Sequence, residues 1–364
     1  MNYFEQVFRK KKVIITGHTG FKGSWLTSWL NLLGAEVVGI SLDSSTVPSH
    51  FNFLQLSRDI KDIRLDIRDY NSLESIVLTE KPDFFFHLAA QAIVNLSYEE
   101  PRLTWEHNVI GTLNVLDSLK NLSNSCISVI ITSDKCYQNN EWLWGYKETD
   151  RLGGDDPYSS SKAAAEILFQ SYFKSYFSHS KIRIASARAG NVIGGGDWSS
   201  FRIVPDAIKA WSNSKPVFLR NPHSTRPWQH VLEPLSGYLA LAASLSKSDY
   251  ISGESFNFGP KSDEVYSVFD LVSKMSKRWP NSKIEILDLD IKYKESKLLK
   301  LNCDKSLSLI KWENTFSIDE TICATIDWYK NYYFNKSIDS VNFTKNQILF
   351  YSNQAKEKGL LWAQ

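Results

Sequence analysis

Residues 13–23 read VIITGHTGFKG. An apolar run ends at Thr16, and glycines follow at 17, 20 and 23. The next segment, SWLTSWLNLLG (24–34), has helical periodicity and closes on Gly34. A strand, a glycine turn and a helix start in that order make a cradle for a pyrophosphate. Glycines allow a tight turn and close backbone approach, and the helix N-terminus offers free N–H groups to an anion. The spacing is G-x-x-G-x-x-G, so the motif departs from the more familiar G-x-G-x-x-G.

The alternation continues along the chain. EVVGISL (36–42), DFFFHLAA (83–90), CISVIITS (126–133) and the start of RIASARAGNVIG (183–194) read as buried strands. SLESIVLTEK (72–81), TWEHNVIGTLNVLDSLKNL (104–122) and DPYSSSKAAAEILFQSYFKSYF (156–177) read as helices between them. This order predicts an α/β, Rossmann-like doubly wound parallel sheet with right-handed crossovers. After about residue 190 the pattern loosens into short strands and helices, which predicts a smaller, partly discontinuous C-terminal lobe. Residues 1–190 with about 225–255 are assigned to the dinucleotide-binding domain, and 191–224 with 256–364 to the lobe. The Lys- and Asn-rich tail after Phe334 is expected on the surface.

The chain has 364 residues, 43% hydrophobic and 23% charged, with a formal net charge of +2. That balance gives no footprint for nucleic acid or a membrane, and no apolar run approaches the ~20 residues of a span. The four cysteines, at 126, 136, 303 and 323, form no C-x-x-C pair and no metal-like cluster with histidine. Reduced thiols in a cytoplasmic protein, with no metal, are expected.

Two groups of residues point to chemistry. Tyr158 and Lys162 are four apart and share a helix face. A nearby ammonium and an oxidised nicotinamide ring both favour the phenolate, which can take the proton of a sugar hydroxyl as hydride leaves the same carbon. The strand CISVII ends in Thr132, Ser133, Asp134 and Lys135. Ser133 supplies a hydroxyl for the reacting oxygen. Asp134 and Lys135 add an acid and a base that simple dehydrogenation does not need. Once C4 of a hexose is a ketone, the C5 proton is acidic. Lys135 can remove it while a protonated Asp134 releases the C6 hydroxyl as water, and hydride then returns to C6.

Together GHTGFKGSWL, HLAAQ, TSDKCYQNNEWLWGY, DPYSSSK, RAGNVIGGGDW, NPHSTRPWQHVLEPLSGYL and FNFGP resemble the nucleotide-sugar 4,6-dehydratases of the extended short-chain dehydrogenase/reductase superfamily. Ser133-Asp134-Lys135, RPWQHV and GGGDW are similar to the group acting on CDP-glucose. The resemblance implies NAD as cofactor and CDP-D-glucose as substrate. The product would be CDP-4-dehydro-6-deoxy-D-glucose, for deoxysugars of a bacterial surface polysaccharide. It implies cofactor contacts at Gly17, Thr19, Gly20, Phe21, Lys22, Gly23, Asp66, Ile67, Ala89, Ala90, Gln91 and Asn108, besides Tyr158 and Lys162. The acid that would hold a ribose 2′-OH is replaced by Ser41. The nearest acid, Asp43, is taken as a further cofactor contact, and nothing basic follows it in sequence to grip a 2′-phosphate, which favours NAD. Asn191, Arg202, Arg226 and Trp228 are the implied substrate contacts, with Gln229 and His230 as supports. Residues 138–156, with Trp142, Trp144 and Tyr146, would form a water-excluding lid. The helices near 101–120 and 157–176 would pair two subunits, giving a homodimer or homotetramer. The stretch YKESKLLKLNCDKS (293–306) lacks the histidines expected there from the family.

Two other readings compete. One is a dehydratase or epimerase on another nucleotide sugar, such as a UDP-N-acetylhexosamine. The other is a catalytically silent dinucleotide-binding protein.

Overall fold

The computed structural model describes residues 3–261, 265–287, 298–335 and 340–364. Its centre is a seven-stranded sheet built from β1 (Lys12–Thr16), β2 (Glu36–Ser41), β3 (Lys61–Arg64), β4 (Phe84–His87), β5 (Cys126–Ile131), β6 (Ile182–Ala189) and β7 (Ser255–Phe258). The spatial order is β7-β6-β5-β4-β1-β2-β3. Every pairing in it is parallel.

Parallel strands covered on both faces must be apolar on both. In β1, Val13 and Ile15 join one core, with Trp25, Trp29, Phe86 and Val129, while Ile14 joins the other, with Ile40, Phe85, Val115 and Ile184. This is why VII carries no period-two alternation.

The chain leaves β1 toward β2 and β3, then returns to lay β4 on the other side of β1. The crevice for a ligand opens where the winding reverses, beyond the C-terminal ends of β1 and β4. The glycine turn follows β1 and the Leu88–Gln91 segment follows β4, so two stretches 71 residues apart in register (Thr16 beside His87 is the last pair) meet there.

Two long helical segments flank the next strands. Pro101–Trp105, a wide turn at Glu106–Ile110, and Gly111–Lys120 run as one rod. The other, Pro157–Tyr172, starts on Asp156, whose carboxylate accepts the Ser159 N–H at 2.9 Å, with Pro157 at the first helical position. The sheet runs to Phe258 in β7, past the boundary expected near 255. The lobe adds three short pairings, of Val192–Ile193 with Gln229–His230, Thr225–Arg226 with Tyr266–Ser267, and Val217–Leu219 with Ile284–Ile286.

The tail is not a surface element. Helix Ser340–Glu357 buries Thr344, Ile348, Tyr351 and Ala355, and Trp362 follows them into the core. Tyr351 Oη donates to Glu233 at 2.8 Å, and the Thr344 hydroxyl accepts from Trp328 Nε1 at 2.9 Å. Composition misleads here because one apolar stripe is enough to dock a helix whose other faces are polar.

Candidate active site

The first wall of the crevice is backbone. Gly17 has φ +77°, a conformation that favours glycine. A Cβ there would lie 2.7 Å from Ala89 N, and one on Gly23 would lie 2.1 Å from Gly17 O. Gly20 caps helix Phe21–Leu32 without any side-chain acceptor, and the first turn holds no acid. The first N–H groups therefore remain available to an anion, which fits a pyrophosphate.

Around that cradle the expected cofactor residues come together. Thr19 Oγ1 lies 2.8 Å from Ser41 Oγ and donates to Leu42 O at 3.0 Å. Asp43 is solvent-exposed, with its carboxylate 3.6 Å from Arg64. Asp66 accepts from the Arg68 backbone and guanidinium, which hold it below the usual carboxylate range. It is not the helix cap that its position before a helix suggests. Asp69 is, accepting the Ser72 N–H. Ile67 packs against Gly111. The Gln91 N–H donates to Asn108 Oδ1 at 2.8 Å, while Asn108 Nδ2 donates to Gln91 O and to Ser161 Oγ. Asn108 thus ties the Ala89–Gln91 segment to the helix of Tyr158 and Lys162. The wide turn at Glu106–Ile110 carries it, a common use of such turns.

The second wall carries the titratable groups. Ser133, Asp134, Tyr158 and Lys162 are all buried. Ser133 Oγ donates to Asp134 Oδ1 at 3.0 Å and accepts the Lys135 N–H at 3.2 Å. The other Asp134 oxygen, Oδ2, is buried without a partner. Burial pushes the Asp134 carboxyl up, against the charges of Lys135, Lys22 and Arg226. Tyr158 shares a hydrogen bond with Ser133, yet burial pushes its phenol up to about 12. Among the chain's own groups, burial thus outweighs the Ser133 hydrogen bond and the Arg202 charge that favour the phenolate. Burial pulls Lys162 down to about 8, with Glu166 opposing.

Lys22 belongs to this wall as much as to the phosphate loop. Burial first, then the charges of Arg202 and Lys162, pull it down to about 8, while Asp134 opposes them. Arg202 pairs with Asp197 at 2.8 Å and lies close enough to favour the Tyr158 phenolate. Arg226 sits where its charge reaches Asp134. Asn191 holds Gln229 N–H through its carbonyl at 3.1 Å. Trp228 is buried with Nε1 on Tyr266 O at 3.3 Å, so its indole braces the lobe. Gln229 and His230 are buried supports as expected. Gln229 Nε2 donates to Phe258 O, and burial takes His230 down to about 3.

The expected lid is a stacked aromatic column. Tyr137 stacks on Tyr146 at 5.2 Å and Tyr146 on Trp142 at 5.3 Å, with Trp144 beyond, 62% exposed. Tyr146 pairs with Leu301, so the lobe clamps the segment. Positions 293–297 of the histidine-poor stretch lie outside the described residues. Its Lys300, with Lys261, joins Arg226 along a cleft walled by Pro227, Pro260 and Leu299. Sequence reading missed these two lysines, although Lys261 directly follows FNFGP and Lys300 lies in the histidine-poor stretch, because only the fold brings them beside Arg226.

The family profile of GDP-mannose 4,6 dehydratase matches residues 14–325. The CDP-glucose 4,6-dehydratase of Salmonella typhimurium strain LT2 is 43% identical over 325 residues, covering 88% of this chain and 90% of that protein. An epimerase of Methanothermobacter thermautotrophicus shares the fold with a TM-score of 0.76 at 22% identity, over 91% of this chain and 95% of the other. The UDP-glucuronic acid 4-epimerase of Bacillus cereus, solved with UDP-glucuronic acid and NAD, does so with a TM-score of 0.75 at 23% identity, over 88% and 99%. The chain belongs to the GDP-mannose 4,6 dehydratase family, within the nucleotide-sugar dehydratases of the extended short-chain dehydrogenase/reductases.

Proposed function

We propose that this protein is an NAD-dependent lyase that removes water from CDP-D-glucose to give CDP-4-dehydro-6-deoxy-D-glucose. The substrate is that named for its 43% identical relative. The observation that carries the reading is Asp134, a buried carboxyl with one free oxygen, next to Ser133 and followed by Lys135. An epimerase has no use for such an acid.

Bound NAD would accept hydride from C4 of the glucose and return it to C6. The rest falls to the chain. Ser133 holds the C4 oxygen, and Tyr158 takes its proton. Lys162 holds the nicotinamide ribose, and its charge favours the phenolate. Lys135 removes the C5 proton and gives it back to C5 when hydride reaches C6. Asp134, whose carboxyl burial pushes toward the protonated form, gives its proton to the departing C6 hydroxyl, which leaves as water. Arg202 and Arg226, with Lys261 and Lys300 beside Arg226, supply cations for the diphosphate, and forked guanidinium groups suit its oxygens. The column from Tyr137 to Trp144 keeps bulk water from the ketone.

Trp105, Ile110 and Ile167 are 40%, 45% and 60% exposed on the two long helical segments. Apolar side chains on adjacent helices support packing against a second copy, hence a homodimer or a tetramer of two such pairs. Four unpaired cysteines support a reducing, cytoplasmic setting. Among the described residues no helix is long and apolar enough to cross a membrane.

The test is mass spectrometry of CDP-glucose, UDP-glucose, dTDP-glucose and UDP-N-acetylglucosamine after incubation with protein and NAD. Loss of one water from CDP-glucose alone is expected. Loss from another nucleotide sugar would keep the chemistry and overturn the substrate. No loss from any would leave a silent dinucleotide binder.

A further inference from the structure

Three strands carry polar residues on the face that helix Pro157–Tyr172 covers. Alternation sets Cys126, Ile130 and Thr132 on one face of the β5 end, and Cys126 and Ile130 share a core with Phe169 of that helix. Along β6 the same face carries Ile182 and Ile184, then Ser186 and Arg188. Along β7 it carries Ser255, which pairs with Ser186 in register. The covered face is thus apolar at depth and polar toward the strand ends where the crevice opens.

Glu166, on that helix, is fully buried and gathers these groups. Its Oε1 accepts from the Thr132 hydroxyl. Its Oε2 accepts from Ser186 Oγ at 2.9 Å, Ser255 Oγ at 3.1 Å and Arg188 Nη2 at 2.7 Å. Tyr158, Lys162 and Glu166 recur every four residues, so they share one helix face. Tyr158 bonds Ser133, and Glu166, about 12 Å farther along the helix, bonds Thr132. Two consecutive residues of the strand end are therefore fastened to one helix face at two separate points, and each bond resists rotation about the other.

Stability alone gives no reason for this arrangement. A buried ion pair adds little over apolar side chains of similar volume, and Phe169 already packs helix against sheet. A carboxylate with four donors adds direction, because hydrogen bonds hold angles that apolar contacts leave free. Direction matters beside Ser133, Asp134 and Lys135, which must meet neighbouring atoms of one sugar while Tyr158 and Lys162 are held on the helix.

We infer that Glu166 is a positioning residue that acts through Thr132, fixing the Ser133–Lys135 strand end against the helix of Tyr158 and Lys162. This rests on the reading of those residues as the dehydratase machinery. The Glu166 charge also opposes the effect of burial on Lys162. Thr132 and Glu166 stand 34 positions apart, so no short stretch of sequence shows the link.

The experiment is steady-state kinetics of the full-length protein with NAD and the nucleotide sugar that loses water in the mass spectrometric assay. Thr132→Val removes the hydroxyl and keeps the side-chain shape. It should lower kcat about tenfold to a hundredfold and leave KM unchanged, as misplaced reacting groups do. Thr132→Ser keeps the hydroxyl and should restore most of the rate. Ser255→Ala takes a different donor from the same carboxylate, away from the β5 end, and should leave kcat unchanged. Urea melts report that each variant is folded, and Thr132→Ala, which adds no bulk, serves if valine prevents folding. Turnover at the wild-type rate without the Thr132 hydroxyl, or an equal fall in Ser255→Ala, overturns the positioning role. A wild type that turns over no nucleotide sugar overturns the proposed function, and this inference with it.

Discussion

Glu166 and Arg188 form an ion pair of 2.7 Å in which neither side chain is more than 3% exposed. Glu166 lies one turn beyond Lys162 on the same helix, and Arg188 lies near the end of β6. Glu166 also accepts from Thr132, from Ser186 at 2.9 Å and from Ser255 at 3.1 Å. Arg188 goes on to Tyr137 Oη at 2.8 Å and to Glu148 O. Tyr137 in turn donates to Asn257, whose amide holds Tyr146 O. One polar chain thus runs from beneath the candidate catalytic lysine to Tyr137 and Tyr146, the two inner rings of the aromatic column.

Arg188→Ala should therefore cost more than a surface pair. It leaves Glu166 buried and unpaired, a loss of about 3–5 kcal/mol in unfolding free energy. Urea melts would measure it, and a loss below about 1 kcal/mol would mean that the pair behaves as an exposed one. The sign with pH follows from Glu166 being held below its ordinary value. Its contribution is present above the unfolded carboxylate range and fades as pH falls through the depressed folded value. Wild type and variant should converge in acid.

Asp134→Asn should separate stability from activity. Burial raises the Asp134 pKa, so the folded protein binds a proton that the unfolded chain releases. Stability from that group is full below the ordinary carboxylate range and is lost as pH rises through the raised value. The variant should match wild type near pH 4, taken as about the unfolded carboxylate pKa, and melt at a higher temperature in neutral solution. Water elimination should fall by about 10²–10⁴, the usual worth of a positioned acid. An active variant would remove Asp134 from the departure of the C6 hydroxyl.

Lys135→Ala should keep dinucleotide binding and lose elimination by a similar factor of about 10²–10⁴. Exchange of the C5 hydrogen of the substrate with solvent deuterium, read by mass spectrometry, isolates this step. Exchange at the wild-type rate in the variant would assign the C5 proton to another base.

Ile167→Glu tests the helix pair. If Ile167 packs against a second copy, a charge there must be buried or the copies must part. Light scattering after size-exclusion chromatography should show the wild type as a dimer or tetramer and the variant as a smaller species. A monomeric wild type would leave Ile167 a solvent-facing apolar residue, which single surface positions tolerate.

The sequence by itself determined the parallel sheet, the glycine cradle after β1, the helix face shared by Tyr158 and Lys162, and the Ser133–Lys135 strand end. All of these are local. Chain direction, glycine freedom, helical period and adjacency along a strand are written within a few residues of one another, so a linear reading suffices. The parts that only tertiary structure decided join residues far apart in the chain. Asn108 bridges Gln91 and Ser161. Lys22 turns from the phosphate loop toward Asp134 and Arg202. Tyr351 carries a polar-looking tail onto buried Glu233. Arg64 comes to the end of β2 through strand pairing alone. Burial is the common reason. It set the Tyr158 phenol higher than its charged neighbours predict, because desolvation depends on everything packed around a group and no short stretch of sequence encodes that.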